Sequence, residues 1–260
     1  MFGDLFSFRR NKKAPVARVP DGARVYAIGD IHGRADLMHD LLAQIAADDS
    51  RRGPADTQVI FLGDLVDRGP ASAEVVETAR LLAANDSRYR FIQGNHEEVF
   101  LKALGGDRKA LTFFTRIGGK ETILSYGVSP RAYDDADYDT LMTLFGARVP
   151  EAHVAFVAAF EDMIEIGDYV FVHAGVRPGV PLAAQKPSDL RWIRQEFLES
   201  RERPEKVVVH GHTIFETVEE QPFRIGLDTG AYASGVLTAM GFEGDQRWTI
   251  RAEGLRADAA

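Results

Sequence analysis

Five short runs of apolar residues recur along the chain, and each has the length of a single β-strand. They are rich in Val, Ile, Phe and Tyr, residues that favour strands. The runs occupy residues 24–28, 58–62, 89–92, 169–172 and 206–209. Their apolar positions are nearly continuous rather than alternating, which predicts strands that are covered on both faces.

Two segments between the first three runs show helical spacing instead. Residues 35–48 place Leu41 and Ile45 on one face, as expected of an amphipathic helix. Residues 71–84 follow Pro70, which suits the start of a helix because no backbone donor is needed there. Strands that alternate with helices in this way predict an α/β layered fold.

Each of the five runs ends in a segment that joins glycine to Asp, Asn or His. The segments are GDIHGR at 29–34, GDLVDRGP at 63–70, GNHE at 94–97, HAG at 173–175 and HGHT at 210–213. Five of the seven histidines lie in them, which random placement would rarely produce. Because ligands of α/β sheets bind beyond the carboxyl ends of the strands, we expect these segments to converge on one site.

Composition restricts the chemistry that such a site could carry. The 260 residues include no cysteine, so thiolate metal sites, disulfides and the cysteine-dependent phosphatases are excluded. A net charge of -8 argues against a surface that holds nucleic acid by its phosphates. No apolar run approaches the length of a membrane span. A metal in this protein must therefore be bound by nitrogen and oxygen.

The side chains at the strand ends form a nitrogen and oxygen ligand set for two metal ions. The predicted ligands are Asp30, His32, Asp64, Asn95, His173 and His212. Asp30 and His32 are two residues apart in an extended segment, so both side chains point the same way. The two oxygens of Asp64 could bridge the ions. Two carboxylates against two divalent cations leave a positive centre, which suits a dianionic phosphate and the in-line displacement that paired ions stabilise.

His96 follows the predicted ligand Asn95 and is expected to project beside the ions without coordinating them. In that position it could protonate a departing alkoxide as the general acid. Asp67 is the predicted partner that orients the imidazole and supports its charged form. Arg68, the next residue, can fork onto the oxygens of a phosphate.

In this order, GDIHGR, GDLVDRGP, GNHE, HAG and GHT resemble the motifs of the calcineurin-like metallophosphoesterases. The GDxVDRG and GNHE forms are more narrowly similar to the phosphoprotein phosphatase branch, which includes the phage lambda and bacterial serine/threonine phosphatases. LDTGAY at 227–232 is similar to a later element of the family. The resemblance implies the same six metal ligands and the same pairing of His96 with Asp67.

The resemblance also implies that arginines bind the phosphate, and further residues are candidates for contact with the substrate. The candidates are Arg68, Asn95, Arg177, Arg194 and Tyr232. DLRWIR at 189–194 is similar to the stretch that supplies a second phosphate-binding arginine, which we place at Arg194, with Arg177 and Arg191 as lesser candidates. Gln93 stands where many relatives carry arginine, so one phosphate contact is expected to be missing.

Two further positions narrow the resemblance. Ile214 follows Thr213, so the GHxH pattern of broader relatives is missing. This fits the phosphoprotein phosphatase branch and speaks against lipid A precursor hydrolases and nucleases. His210 matches no ligand position in this branch, and we expect it to support the ligands or to pack in the core.

The predicted fold is a four-layer α/β/β/α sandwich of two mixed sheets, in one domain over residues 21–260. Residues 224–227, 235–241 and 247–250 are expected to form strands of the second sheet. Residues 98–165 are predicted to be a mostly helical cap insertion that lies over the metals and shapes the pocket.

Residues 1–20 differ from the rest of the chain. Their five basic residues against one acid give a charge of +4, and four apolar residues precede the basic cluster. This order is the reverse of a secretory signal, so we expect a cytoplasmic protein. A flexible terminus is favoured over weak contact with a membrane surface.

The leading functional prediction is a dinuclear-metal phosphatase acting on phosphoserine or phosphothreonine in proteins. The resemblance implies direct in-line attack by a metal-bridging hydroxide, with His96 as general acid. The alternative is symmetrical hydrolysis of diadenosine tetraphosphate at the same centre. A non-catalytic scaffold is disfavoured because every predicted ligand and the acid are present. Manganese is the favoured metal, and iron, zinc, cobalt or nickel also fit the ligand set. The expected partner is a phosphorylated protein or a small phosphoester, not nucleic acid.

Overall fold

The computed structural model describes residues 16–256. Most of the predicted basic tail, residues 1–15, lies outside the described residues. The remaining part of the tail packs against the domain. The backbone N–H of Arg18 donates to Asp168 at 3.0 Å, and that of Val19 donates to the carbonyl of Gly244 at 3.0 Å. The Val19 side chain is fully buried.

Ten strands within residues 16–256 form two five-stranded sheets. They are β1 (Ala23–Ile28), β2 (Asp56–Phe61), β3 (Tyr89–Phe91), β4 (Met163–Ile166), β5 (Tyr169–Val172), β6 (Val207–His210), β7 (Glu219–Gln221), β8 (Arg224–Gly226), β9 (Val236–Glu243) and β10 (Gln246–Glu253). The first sheet has the order β10-β9-β1-β2-β3, and the second has the order β4-β5-β6-β8-β7. Both sheets are mixed, with β1, β2 and β3 parallel in the first and β5, β6 and β8 parallel in the second.

Two of the strands lie in a different sheet from the one predicted. β9 and β10 were expected in the second sheet with β8, but β9 pairs antiparallel with β1 and β10 pairs with β9. The reason is that β9 is apolar on both faces. Leu237 and Ala239 pack under the helices of the first sheet, while Met240 and Phe242 pack between the sheets. A strand buried on both sides fits the middle of a sheet, and its sequence does not show which sheet that is.

The helices cover the outer faces of the sheets and form the insertion between them. They are α1 (Ala35–Arg52), α2 (Ser72–Asn85), α3 (Asn95–Leu104), α4 (Arg108–Phe114), α5 (Lys120–Ser125), α6 (Pro130–Asp135), α7 (Tyr138–Gly146), α8 (Glu151–Ala158), α9 (Pro187–Trp192), α10 (Gln195–Leu198) and α11 (Ala231–Ser234). A π-helical turn at Thr115–Gly119 joins α4 to α5.

The alternation of side chains along β1 shows how the layers form. Tyr26 and Ile28 point to the cluster under α1 and α2, while Val25 and Ala27 point to the cluster between the two sheets. On the far side, α9 and α10 cover the outer face of the second sheet. The four-layer α/β/β/α prediction is therefore confirmed. No helix among residues 16–256 is both long enough and apolar enough to cross a membrane.

The segment predicted as a helical cap, residues 98–165, contains most of α3 and all of α4 to α8. These helices share their own apolar cluster, in which Phe100, Phe114 and Phe145 are fully or almost fully buried. The insertion is thus a packed unit with a core of its own rather than a loose loop.

Asp48 joins three elements of the first layer. Its Oδ2 accepts hydrogen bonds from the Tyr26 hydroxyl of β1, from Nε1 of Trp248 of β10 and from Arg52 of α1, each at 2.8 Å. Burial alone would raise the pKa of Asp48, but these three donors together hold it below its usual range.

We expect Asp48→Ala to lower the free energy of unfolding by about 2–4 kcal/mol, because it leaves the buried hydroxyl of Tyr26 and the half-buried indole N–H of Trp248 without an acceptor. Urea unfolding measures the loss. Asp40→Ala, an exposed change on the same helix, is the control and should change stability by about 0.5 kcal/mol or less.

Because the pKa of Asp48 is lower in the folded state, the contribution of Asp48 to stability is complete above pH ~5 and is lost as the pH falls through the folded pKa. A difference between wild type and Asp48→Ala that grows on acidification would contradict this assignment.

Candidate metal centre

The predicted site residues lie in loops with an unusual backbone conformation. Among the described residues, the non-glycine positions with positive φ are His32, Asp64, Asp67, Arg68 and His212, with φ between 46° and 76°. All five belong to the segments that follow strands of the two sheets. Left-handed conformations cost about 1–3 kcal/mol each at such residues and are retained where function requires them. Their concentration here indicates that this edge of the sheets is the candidate functional site.

Glu97 supports this backbone, a role that its position in the GNHE motif did not predict. Its buried carboxylate accepts hydrogen bonds from the N–H groups of Asp64 at 2.8 Å, Leu65 at 2.7 Å and Gly94 at 3.0 Å. A Cβ on Gly94 would clash with Asp64. The signal was present in the sequence, because Glu97 stands three residues after the residue that precedes α3, the spacing of a capping box.

Two groups of ligand atoms meet at Asp64. His32, Asp64 and His96 form one group, and Asp64, His173 and His212 form the other, with the atoms of each group within 4.8 Å of one another. Oδ2 of Asp64 lies 3.5 Å from Nε2 of His32, and Oδ1 lies 3.4 Å from Nε2 of His173. The two oxygens of this carboxylate thus face different histidines, as a bridging ligand requires.

Backbone contacts orient the histidines toward the centre. Nδ1 of His32 lies 2.7 Å from the carbonyl of Val66, and Nδ1 of His173 lies 2.8 Å from that of Leu62. A carbonyl oxygen accepts a proton, so these contacts favour a proton on Nδ1 of each ring and direct Nε2 toward the centre. Burial alone would lower the pKa of His173, but the charge of Asp64 raises it, so a cation bound there would displace the proton from Nε2. His212 presents Nδ1 instead, 3.2 Å from Nε2 of His173.

The remaining predicted ligands lie at the edge of these groups. Oδ1 of Asn95 is 2.9 Å from Nε2 of His173. Asp30 belongs to neither group, and its two oxygens accept the backbone N–H of His212 at 3.0 and 3.1 Å. Burial, the charge of Asp228 and the charge of Asp64 raise the pKa of Asp30 well above its usual range.

The electrostatics of the buried groups fit a pair of cations. Asp228, in the segment that resembles the later family element, is a further buried carboxylate near these ligands. Its pKa is raised to about 6, chiefly by burial and also by the charge of Asp64, and its buried Oδ2 has no hydrogen-bond partner among residues 16–256. Burial lowers the pKa of His212 to about 2, which keeps the imidazole in the neutral form that binds metal. Cations would relieve the repulsion between the carboxylates.

The predicted acid dyad is in contact. Nδ1 of His96 lies 2.5 Å from Oδ2 of Asp67, and both side chains are buried. Burial alone would lower the pKa of His96, but the charge of Asp64 and the hydrogen bond to Asp67 raise it above its usual value. The two carboxylates thus favour the charged imidazole that a general acid needs, whereas the positive charge of Arg68 opposes it.

Arg68 contacts two histidines of the same centre. Its two terminal nitrogens lie 2.9 Å from Nε2 of His32 and 3.0 Å from Nε2 of His96. The guanidinium stands 4.9 Å from the ring centre of Tyr232, and that ring is 5.6 Å from the ring of His32. Arg68 and Tyr232 thus line the centre together, as the proposed substrate contacts require.

The other candidate arginines occupy different surroundings. Arg194 is exposed, and its charge contributes to the low pKa of His212, which places it near the centre. Arg177 pairs with Asp189 at 2.7 Å and lines a separate cavity of about 500 Å³. Arg191 pairs with Asp162 at 2.6 Å. The structure therefore brings Arg194 toward the metal ligands but engages Arg177 and Arg191 with carboxylates elsewhere.

His210 lies in the core behind the ligands. Its ring is fully buried, 5.1 Å from the ring of Phe197, and its Nδ1 is 3.0 Å from the carbonyl of Gly211. Burial lowers its pKa to about 4. The contacts with Phe197 are those of a packed residue.

A model of the calcineurin-like phosphoesterase family matches residues 23–233. The chain therefore belongs to that family, a class of metal-dependent phosphoric ester hydrolases.

Individual relatives in the family are either low in sequence identity or match only part of this chain. The asymmetrical bis(5'-nucleosyl)-tetraphosphatase PrpE of Anoxybacillus flavithermus is 24% identical over 236 residues, which cover 82% of this chain and 88% of the relative. A symmetrical bis(5'-nucleosyl)-tetraphosphatase of Serratia proteamaculans is 40% identical, but only over 31% of this chain and 26% of its own length. The crystal structure of a proposed diadenosine tetraphosphatase superposes with a TM-score of 0.62 at 22% identity, over 94% of this chain and 100% of that one.

We expect Asp64→Asn to lose most of its bound manganese after equilibrium dialysis, because the change removes the charge that both groups of ligands share. Metal analysis of the dialysed protein measures the ions per chain. Asp40→Asn, at an exposed position, should retain the wild-type content. Two ions retained per chain of Asp64→Asn would contradict a bridging role.

Proposed function

We propose that this protein is a dinuclear-metal phosphatase that hydrolyses phosphomonoesters, with phosphoserine and phosphothreonine in proteins as the leading substrates. The observation that carries the proposal is the contact of His96 with Asp67 beside the shared carboxylate of Asp64. A general acid at this position serves an ester whose leaving group needs a proton, as serine and threonine do.

The metal ligands proposed are Asp30, His32, Asp64, Asn95, His173 and His212. Two divalent ions held there, with manganese favoured, would supply an activated water and neutralise the charge of the phosphate. Arg68 is proposed to hold phosphate oxygens, because its guanidinium contacts His32 and His96 at the centre and lies over the ring of Tyr232. Arg194, which is exposed, is proposed as a second phosphate contact.

The positions of the proposed ligands and acid determine the side from which water attacks and the side on which the leaving group departs. Water attacks phosphorus from the side of the metal ligands, and the bond from phosphorus to the ester oxygen breaks on the opposite side. His96 donates the proton from Nε2 to that oxygen, while Asp67 stabilises the imidazolium before the transfer. Hydrolysis is direct, so no phosphorylated side chain forms.

Hydrolysis of dinucleoside tetraphosphates is a second candidate function. It is favoured by the names of the two relatives described above. Tyr232 offers an aromatic ring at the centre, but Arg68 already covers that ring, which leaves less of it for an adenine base. For this reason we retain the phosphomonoester as the leading substrate class.

We expect His96→Asn to lower turnover of phenyl phosphate by about a hundredfold or more, because its leaving group needs a proton. Turnover of dinitrophenyl phosphate, whose leaving group departs as a stable anion, should fall much less. Manganese content should stay at the wild-type value. His39→Asn, at an exposed histidine, is the matched control. Equal turnover of phenyl phosphate by wild type and His96→Asn would rule out the acid assignment.

The two substrate classes are separated by one panel of assays on the manganese-loaded protein. We expect kcat/KM for phosphoserine and phosphothreonine peptides to exceed that for diadenosine tetraphosphate, because a protein substrate needs no base-stacking surface. Phosphate release is measured for the peptides, and the nucleotide products are resolved by chromatography. A higher kcat/KM for the dinucleotide would overturn the leading assignment and select the second candidate.

A further inference from the structure

Asp67, the partner of the proposed acid, is held by a residue of the insertion. The Thr122 hydroxyl of α5 donates to Oδ1 of Asp67 at 2.7 Å, and Oγ1 of Thr122 accepts the backbone N–H of Asp67 at 2.8 Å. Thr122 is fully buried. One hydroxyl thus satisfies both a side-chain oxygen and a backbone N–H of a residue whose φ is 76°.

The hydrogen bonds divide the Asp67 carboxylate between two partners. Oδ2 faces Nδ1 of His96 at 2.5 Å, and Oδ1 receives the Thr122 hydroxyl. A carboxylate held at one oxygen alone can rotate about its terminal torsion, which is broad for Asp. The donor from Thr122 fixes that torsion and with it the direction in which Asp67 meets the imidazole.

The insertion also holds the neighbouring arginine. The backbone N–H of Arg68 donates to the carbonyl of Gly118 at 2.9 Å, and its Nε approaches the carbonyl of Ile117 at 3.4 Å. A Cβ on Gly118 would clash with the Arg68 side chain. We call Ile117, Gly118 and Thr122 the cap contact. The cap contact bonds the insertion to Asp67, the partner of the proposed acid, and to Arg68, the proposed phosphate ligand.

We propose that Thr122 is a positioning residue for proton transfer, which acts through Asp67 on His96 and couples the insertion to the chemistry. This inference rests on the proposed function, because it requires His96 to be the acid. It differs from a purely structural role, in which loss of the hydroxyl would lower stability and leave the balance between substrates unchanged.

The test compares Thr122→Val, which keeps the shape and removes the hydroxyl, with Thr122→Ser, which keeps the hydroxyl. We expect kcat for phenyl phosphate to fall about tenfold in Thr122→Val, while kcat for dinitrophenyl phosphate stays within about twofold of wild type. Thr122→Ser should restore both values to within about twofold. Equal losses on the two esters, or no loss on either, would overturn the inference. If Thr122→Val is not recovered folded, Thr122→Ala is measured for the same split.

Tyr126→Phe is the matched control for damage to the insertion. Tyr126 is buried in the same part of the chain, and its hydroxyl lies 2.9 Å from Nδ1 of His153, away from Asp67. We expect this variant to lose stability without changing the ratio of turnover on the two esters. A ratio that changes as much as in Thr122→Val would show that general loosening, not positioning, is responsible.

A double-mutant cycle tests the route through His96. In a His96→Asn background, Thr122→Val should have no further effect on phenyl phosphate, since the group through which it acts is gone. An additional tenfold loss in the double variant would contradict the inference.

A second readout needs neither metal nor turnover. In the metal-free protein, the proton between His96 and Asp67 is expected to give a downfield proton NMR signal, which His96→Asn identifies by its loss. Thr122→Val should shift or remove this signal, and Tyr126→Phe should leave it in place. An unchanged signal in Thr122→Val would overturn the inference. A metal-loaded wild type that hydrolyses neither ester would instead contradict the proposed function.

Discussion

The buried carboxylate of Glu97 is the constraint on which the rest of the site depends. It gathers backbone N–H groups from the loop after β2 and from the turn before α3, which are separate in sequence. These bonds compensate the left-handed conformation of Asp64, which would otherwise be unfavourable at a non-glycine residue. The shared ligand is thereby aimed at both groups of histidines before any ion arrives, which is the preorganisation that a metal site requires.

The same arrangement destabilises the folded chain when no cation is bound. Asp30, Asp64 and Asp228 are buried together, and burial with mutual repulsion raises the pKa of Asp30 and Asp228. The rigid layer between the sheets, in which Ile60, Phe171 and Phe242 are fully buried, holds the strand ends in place despite this repulsion. Stability comes from the layers, and the charged edge is reserved for binding cations.

The insertion is part of the site rather than a cover placed upon it. Its helices have a separate apolar cluster, yet Gly118 and Thr122 bond directly to residues 67 and 68 in the loop after β2. A substrate that displaces the insertion would therefore act on the same hydrogen bonds that orient Asp67. This gives a physical connection between the segment proposed to select substrates and the residues proposed to act on them.

The sequence by itself determined the strand ends, the two helices of the first layer and the residue types that meet at the centre. These features depend on local periodicity and on the Gly-Asp and Gly-Asn turns, which are encoded over a few residues. It identified the pairing of His96 with Asp67 through their motifs. Only the tertiary structure decided that β9 and β10 join the first sheet, that Arg177 turns to Asp189, and that Glu97 and Thr122 hold the loops. Each of these depends on contacts between residues far apart in the chain, and a pattern of apolar and polar positions carries no information about which distant partner a buried strand or hydroxyl will meet.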